Sequence, residues 1–182
     1  EGALTEQKTG DYIADILLPD GGIIEIQTAS LANLRKKIES FIREKRKITV
    51  VHPVATVKYI ETTDIGTGKT TRRKSPVKKT LLCAFRELTS LTAFLADRNF
   101  TLEVLETVIT EERIRHKEPV QSRNGKRRFP KDWEKTDKRL EEILVTHRFH
   151  GRSSWKKLVP KSLRDREFTS AEFFEELKKD FP

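Results

Sequence analysis

Alternating apolar and polar positions open the chain and fold it back on itself. Residues 11 to 30, Asp-Tyr-Ile-Ala-Asp-Ile-Leu-Leu-Pro-Asp-Gly-Gly-Ile-Ile-Glu-Ile-Gln-Thr-Ala-Ser, form two β-branched-rich runs around the turn Pro19-Asp20-Gly21-Gly22, which predicts a β-hairpin. Side chains two apart share a face of a strand. Asp11, Ile13 and Asp15 therefore point one way in the first run, Ile23, Glu25 and Gln27 share a face in the second, and the turn sets Asp15 nearly opposite Glu25. The period then changes to that of a helix, with Leu31, Leu34, Ile38, Phe41 and Ile42 at helical spacing after Ser30, a residue able to cap it. Ile48-Thr49-Val50-Val51 reads as a buried strand. Strand, helix, strand in this order implies a right-handed crossover and parallel pairing with the Glu25 strand, hence a mixed sheet.

Val57 to Thr63 extends that sheet or begins another hairpin. Leu81, Leu82, Phe85, Leu88, Leu91 and Leu95 mark an amphipathic helix. Phe100, Leu102 and Val104 alternate in a strand that runs on through Val108 and Ile109 and closes the sheet. Asn124-Gly125 is a hairpin signal between Arg123 and Lys126-Arg127-Arg128, so a basic β-ribbon is expected there. Past Pro130 the pattern turns helical: Leu140, Ile143 and Leu144 suggest one helix, and Trp155 and Leu158 a short one. Thr169-Ser170-Ala171-Glu172 is a capping box opening a third, with Phe173, Phe174 and Leu177 inside. The expected fold is α/β with a mixed sheet (α+β), a core over residues 1–130 and a small helical C-terminal part over residues 131–182.

Composition narrows the classes. The 182 residues are 35% hydrophobic and 36% charged, and 37 Lys and Arg against 28 Asp and Glu leave a net charge of +9, which favours polyanionic partners. The single cysteine, Cys83, excludes an internal disulfide, and no Cys or His spacing suggests zinc. His52, His116, His147 and His150 are scattered without shared spacing. No apolar run has the length of a membrane span and no signal-peptide organisation opens the chain, so a cytoplasmic setting without a membrane partner is expected. The chain has no Met and begins at Glu1, which implies that a natural start has been removed.

Candidate chemistry centres on the hairpin. Asp15 and Glu25 lie in strands otherwise built of Ile and Leu, and acids there are costly to bury without a partner. Neither run contains Arg or Lys. A divalent cation satisfies both acids, and a hard ion such as Mg2+ or Mn2+ suits two carboxylates, the Ile26 carbonyl and water. An exposed hairpin with acids on its solvent face would show the same alternation. Gly68-Lys69-Thr70 is not a phosphate-binding loop, because Thr63 stands where that motif requires glycine and no helix start follows. Three basic stretches could face phosphate or merely be solvated. They are the helix after the hairpin, with Arg35 and Lys36; a flexible loop over residues 69–79, with Arg72, Arg73 and Lys74; and residues 113–128, with Arg127 and Arg128.

Asp15, a turn, then Glu25-Ile26-Gln27 resembles the D…(D/E)-x-K signature of the restriction-endonuclease-like (PD-(D/E)xK) nucleases, in a D…E-x-Q form. The string from Asp15 to Leu31, followed by a basic helix, also resembles an uncharacterised bacterial domain family of that superfamily with a winged helix towards its C-terminus. The resemblance implies a restriction-endonuclease-like core. It further implies magnesium-dependent hydrolysis of phosphodiester bonds in DNA, in the first instance double-stranded, with Asp15, Glu25 and Gln27 catalytic and with Asp15, Glu25 and Ile26 holding the metal. Gln27 departs from the usual lysine. A neutral amide can only hydrogen-bond, so water activation would fall to the metal. A first helix often adds an acid in this superfamily, and Glu6 is the nearest candidate. The C-terminal part would be a winged helix cut short or a helical cap, since Pro182 leaves no room for wing strands. Symmetric cutting of both strands would require a homodimer. One alternative function is a non-catalytic nucleic-acid-binding module retaining the nuclease fold. Another is a partner-binding protein whose positive surface serves solubility.

Overall fold

The structure, a computed structural model, describes residues 2–77 and 79–180, without the Asp180 side chain. It is a mixed α+β fold with a seven-stranded sheet and few helices. Strands β1 (Leu4–Thr9), β2 (Tyr12–Leu17) and β3 (Ile23–Ile26) form an antiparallel meander, and β2 pairs with β3 through Ile16 opposite Ile24 and Leu17 opposite Ile23. The β2–β3 turn closes through Leu18 N–H to Gly22 O (2.8 Å) and Gly21 N–H to Leu18 O (2.9 Å). Gly21 takes φ 80°, a left-handed conformation that a residue without Cβ adopts at least cost. Asp20 accepts the Gly22 N–H and completes the turn.

A 3-10 turn (Leu31–Leu34) leads into α1 (Arg35–Arg43). Leu31, Leu34, Ile38 and Phe41 are buried, as their spacing requires. Strand β4 (Ile48–Asp64) then returns parallel to β3, with Glu25 opposite Val50. Strand β5 (Thr70–Lys74) pairs antiparallel with the far end of β4. Helix α2 (Leu82–Leu88) follows, then β6 (Phe100–Val120), β7 (Lys131–His150), α3 (Gly151–Lys156) and α4 (Ser170–Asp180). The strand order is β1-β2-β3-β4-β6-β7.

Three expectations are corrected. Ser30 does not cap the helix through its side chain: its hydroxyl donates to Glu87 instead, at 2.8 Å. Residues 70–74 are not a flexible loop but a strand, joined to β4 by a turn in which Asp64 Oδ1 accepts the N–H groups of Gly66 (3.0 Å) and Thr67 (2.9 Å). Those bonds hold the Asp64 carboxyl below its ordinary range. The helix expected around Leu140, Ile143 and Leu144 is the middle of β7. The long β6 requires a partner for its backbone groups, and satisfying them outweighs the helical propensity of this Lys-, Glu- and Leu-rich stretch.

Contacts divide the chain into two compact units. The first comprises Glu1–Pro53, Leu82–Val104 and Thr146–Pro182, and the second Val54–Leu81 and Leu105–Val145. Residues 131–145, expected with the C-terminal helices, thus belong to the second unit, while α3 and α4 belong to the first. Most of the apolar core lies in the first unit, with Ala14, Leu31, Ile38, Phe41, Val50, Leu91, Phe100, Leu102, Val104 and Leu163 fully buried. The C-terminal capping box forms as expected, with Thr169 N–H on Glu172 Oε2 (2.7 Å) and Glu172 N–H on Thr169 Oγ1 (3.2 Å). The second unit buries few large apolar side chains, among them Val54, Ile60 and Val108. Its strands are tied by side-chain networks: Glu141 accepts from Thr110 (2.7 Å) and Arg72 (2.6 Å), and Arg139 pairs with Glu112 (2.8 Å).

Candidate active site

The two acids meet where β2 and β3 part. The ladder register of these strands, continued by one pair, puts Asp15 opposite Glu25. At that point side chains replace backbone bonds: Asp15 Oδ2 accepts the Ile26 N–H at 2.7 Å, and Glu25 Oε1 accepts the Asp15 N–H at 3.3 Å. Ile23 and Gln27 donate their N–H groups to Lys47 and Val51 on the β4 side. Alternation therefore turns the backbone of Ile26 towards β2, and its carbonyl lies on the same side of β3 as Asp15. Glu6 stands opposite Asp15 in the β1 register, is exposed, and takes φ 52°, a conformation that L side chains rarely adopt. The β1–β2 pairing is broken at the same residue as the β2–β3 pairing.

Glu25 is only 2% exposed and its partner is a lysine from the helix. Lys37 Nζ lies 2.6 Å from Glu25 Oε2 and also donates to the Ile13 carbonyl. Burial pushes the Glu25 carboxyl above its ordinary range. The hydrogen bond and charge of Lys37 oppose the rise, the negative charge of Asp15 adds to it, and the Asp15 N–H works against it. Lys37 reaches this point because the crossover lays α1 over the meander. Its third residue then falls on the buried stripe of Leu34, Ile38 and Phe41.

Gln27 does not join the acids through its amide. Its Nε2 donates to Ser30 O at 2.9 Å, and its carbonyl accepts from His52 Nδ1 at 2.7 Å. Ser30 in turn binds Glu87 of α2, whose carboxylate also accepts the Leu31 N–H at 3.3 Å. The Ser30 hydroxyl bond keeps Glu87 ionised below its ordinary range. This relay fixes where the 3-10 turn starts and so where α1 presents Lys37. In this structure the Gln27 amide is engaged at the strand-to-helix corner rather than with either acid.

Lys37, His52 and Glu87 do not stand out by motif, yet each carries a signal in its spacing. Lys37 lies three residues after Leu34 and four before Phe41. Glu87 stands in the same relation to Ala84 and Leu91, and His52 alternates with the buried Val50 and Val54. A polar residue on an apolar stripe marks a buried partner.

The groups here that could hold a hard divalent cation are the two carboxylates and the Ile26 carbonyl, all of them oxygen donors. Among the described residues no group of three or more His, Cys, Asp and Glu side chains is placed to hold a metal ion. A cavity of about 1210 Å³ in the same unit is lined by Leu82, Phe85, Trp155, Phe173, Phe174 and Leu177 and includes neither acid.

Three of the expected phosphate-binding cations engage other groups of the chain. Arg72 is engaged, bound to Glu141 and stacked 4.3 Å over Tyr59. Arg127 donates to Val120 O and Trp133 O and lies 4.5 Å from the Trp133 ring, and Arg128 rests 5.2 Å over Phe129. Arg35, Lys36, Arg73 and Lys74 are exposed. The second unit holds 18 Lys and Arg against 11 Asp and Glu, a net +7 of the whole chain's +9.

The profile of a domain of unknown function, DUF8091, matches residues 1–150. The "Uncharacterized protein" of Treponema pallidum (strain Nichols) is 28% identical over 153 residues, which cover 84% of this chain and 58% of that protein. The chain therefore spans less than two thirds of that relative's length. No solved structure matches the chain. No described helix is long and apolar enough to cross a membrane.

Proposed function

The chain belongs to the DUF8091 family, and from the site built above we propose that it is a metal-dependent endonuclease with a restriction-endonuclease-like core, hydrolysing phosphodiester bonds of DNA. The observation that carries this reading is the Lys37 ammonium 2.6 Å from Glu25, with Asp15 across the strand pair. The lysine that Gln27 replaces in the strand motif is supplied from α1. The meander, the crossover helix and the parallel return of β4 support the same architecture.

Asp15, Glu25 and the Ile26 carbonyl would hold Mg2+ or Mn2+. When bound, such an ion supplies Lewis acidity and charge neutralisation at the phosphodiester. Lys37 has three N–H donors, of which Glu25 and Ile13 use two. The third is available to a non-bridging phosphate oxygen or to the attacking water. Helix α1 carries no acid in its first turn and instead places Arg35, Lys36 and Lys37 at its positive end. Each such cation costs about 0.3–1 kcal/mol there, a penalty that a bound phosphate offsets. The partner is nucleic acid, in the first instance double-stranded DNA, and the positively charged second unit contributes non-specific affinity.

One observation favours a second reading, a non-catalytic nucleic-acid-binding module of the same fold: Lys37 satisfies the buried Glu25 without any metal. Cleavage of supercoiled plasmid by the full natural-length protein separates the two. The nuclease nicks or linearises plasmid with Mg2+ or Mn2+, stops with chelator, and is inactive as Asp15→Asn or Glu25→Gln. Salt-dependent binding without cleavage of DNA or RNA would favour the module.

A further inference from the structure

Strand β7 ends the strand order, so one edge of it lacks a strand partner among the described residues. Residues 135–146 are all exposed, and they include Leu140 (56%), Ile143 (50%), Leu144 (44%) and Val145 (45%). A long open edge with consecutive apolar residues is a template for pairing with another strand. Within it stands Lys138-Arg139-Leu140-Glu141-Glu142. Its charges invert about Leu140, which is the order an antiparallel copy of the same strand requires.

We propose that the open edge of β7 is a self-association surface, where β7 of a second copy pairs antiparallel about a two-fold axis at Leu140. In that register Leu140 meets its own counterpart, Lys138 faces Glu142 of the second copy, and Arg139 faces its Glu141. Each contact occurs twice, as in any isologous interface. Centring the axis on Arg139, Glu141 or Glu142 instead sets that residue against itself, like charge on like charge, which disfavours those registers. Val145 and Leu144 then lie across from the methylenes of Lys135 and the methyl of Thr136.

Lys138 and Glu142 are the pair that decides the matter. Lys138, Leu140 and Glu142 alternate onto one face. Among the described residues neither Lys138 nor Glu142 makes an ion pair within its own chain, whereas Arg139 and Glu141 already belong to the network on the opposite face. Partial desolvation of its ammonium, in a side chain that is exposed as a whole, and the neighbouring Lys135, Lys58 and Lys79 hold Lys138 below the ordinary lysine range. The acid pulling the other way, Glu111, is already engaged by Lys58 and Arg113. A carboxylate arriving from outside meets a lysine surrounded by cations. The inverted charge order points to a second copy rather than an unrelated strand, and it does not depend on the phosphodiesterase reading.

Sedimentation equilibrium over a wide concentration range tests the proposal on the whole protein. The wild type is expected to dimerise reversibly. Lys138→Glu and Glu142→Lys should each weaken self-association at least about tenfold, since each turns two attractive contacts into repulsive ones. Both side chains are exposed, and circular dichroism confirms folding of the variants. An equimolar mixture of the two single variants should regain the dimer, as should Lys138→Glu/Glu142→Lys. A wild type that stays monomeric throughout would assign the edge to a different occupant and overturn the proposal. So would dimers indifferent to single charge reversal, or a mixture that fails to re-associate.

Discussion

Replacing Lys37 by Met keeps most of the aliphatic stem and removes the ammonium from a carboxylate that is 2% exposed. Breaking a buried ion pair from one side costs about 3–5 kcal/mol, because the remaining charge is left in a poorly solvated place. Here the loss has a ceiling. Glu25 can escape by taking up a proton, and from its ordinary value of 4.5 that costs about 3.4 kcal/mol at pH 7, at about 1.36 kcal/mol per pH unit. The folded-state pKa of Glu25 is raised, so stability linked to it is fully present below 4.5 and is lost as pH rises through the folded-state value. The penalty of Lys37→Met should therefore be near ~3 kcal/mol at pH 7 and fall below ~1 kcal/mol at pH 5. Urea unfolding of wild type and variant at both pH values measures it. Lys37→Met/Glu25→Gln should regain most of the loss at pH 7. An equal loss at the two pH values, or none at pH 7, would show that Lys37 and Glu25 are not coupled as the structure has them.

Asp15→Asn keeps an oxygen for the Ile26 N–H and should change stability by less than about 1 kcal/mol, whereas Asp15→Ala strands that donor and should cost about 1–3 kcal/mol; thermal unfolding compares them. Arg73→Ala/Lys74→Ala should flatten the salt dependence of DNA affinity by about 0.9 for each phosphate no longer neutralised, while Arg72→Ala should leave the slope alone and lower stability through Glu141 and Tyr59. A titration of affinity against salt reads the first, and a melting curve the second. Thr169→Ala removes half of the capping box and should cost about 1 kcal/mol of α4 stability, seen as faster amide exchange in residues 170–174. The Thr169 N–H and the Arg166 guanidinium hold the Glu172 carboxyl down at about 2, so its contribution is present above 4.5 and is lost as pH falls towards 2.

The hairpin was legible because two independent signals agreed: a Pro-Asp-Gly-Gly turn that fixes the register and an alternation that fixes the faces. Together they set Asp15 against Glu25 from the residue pattern alone. The crossover to β4 was legible for the same reason, since a helical stripe between two β-branched runs leaves one handed connection. Residues 131–150 were not. Leu140, Ile143 and Leu144 have helical spacing among Lys and Glu, and only the unpaired edge of β6, a distant part of the chain, makes them a strand. By sequence Lys37 is one of many cations on a basic helix. Its place on the apolar stripe distinguishes it, and that distinction gains meaning only when Glu25 is known to lie beneath the helix.

The occupancy of the acid pair is tested most directly by titrating Mn2+ calorimetrically into the metal-free wild type, Asp15→Asn and Glu25→Gln at pH 7. A site built from these two acids gives saturable binding in the wild type and at least about tenfold weaker binding in both variants. Identical isotherms in all three proteins, or no heat in the wild type, would contradict it and leave Glu25 and Lys37 as a structural ion pair.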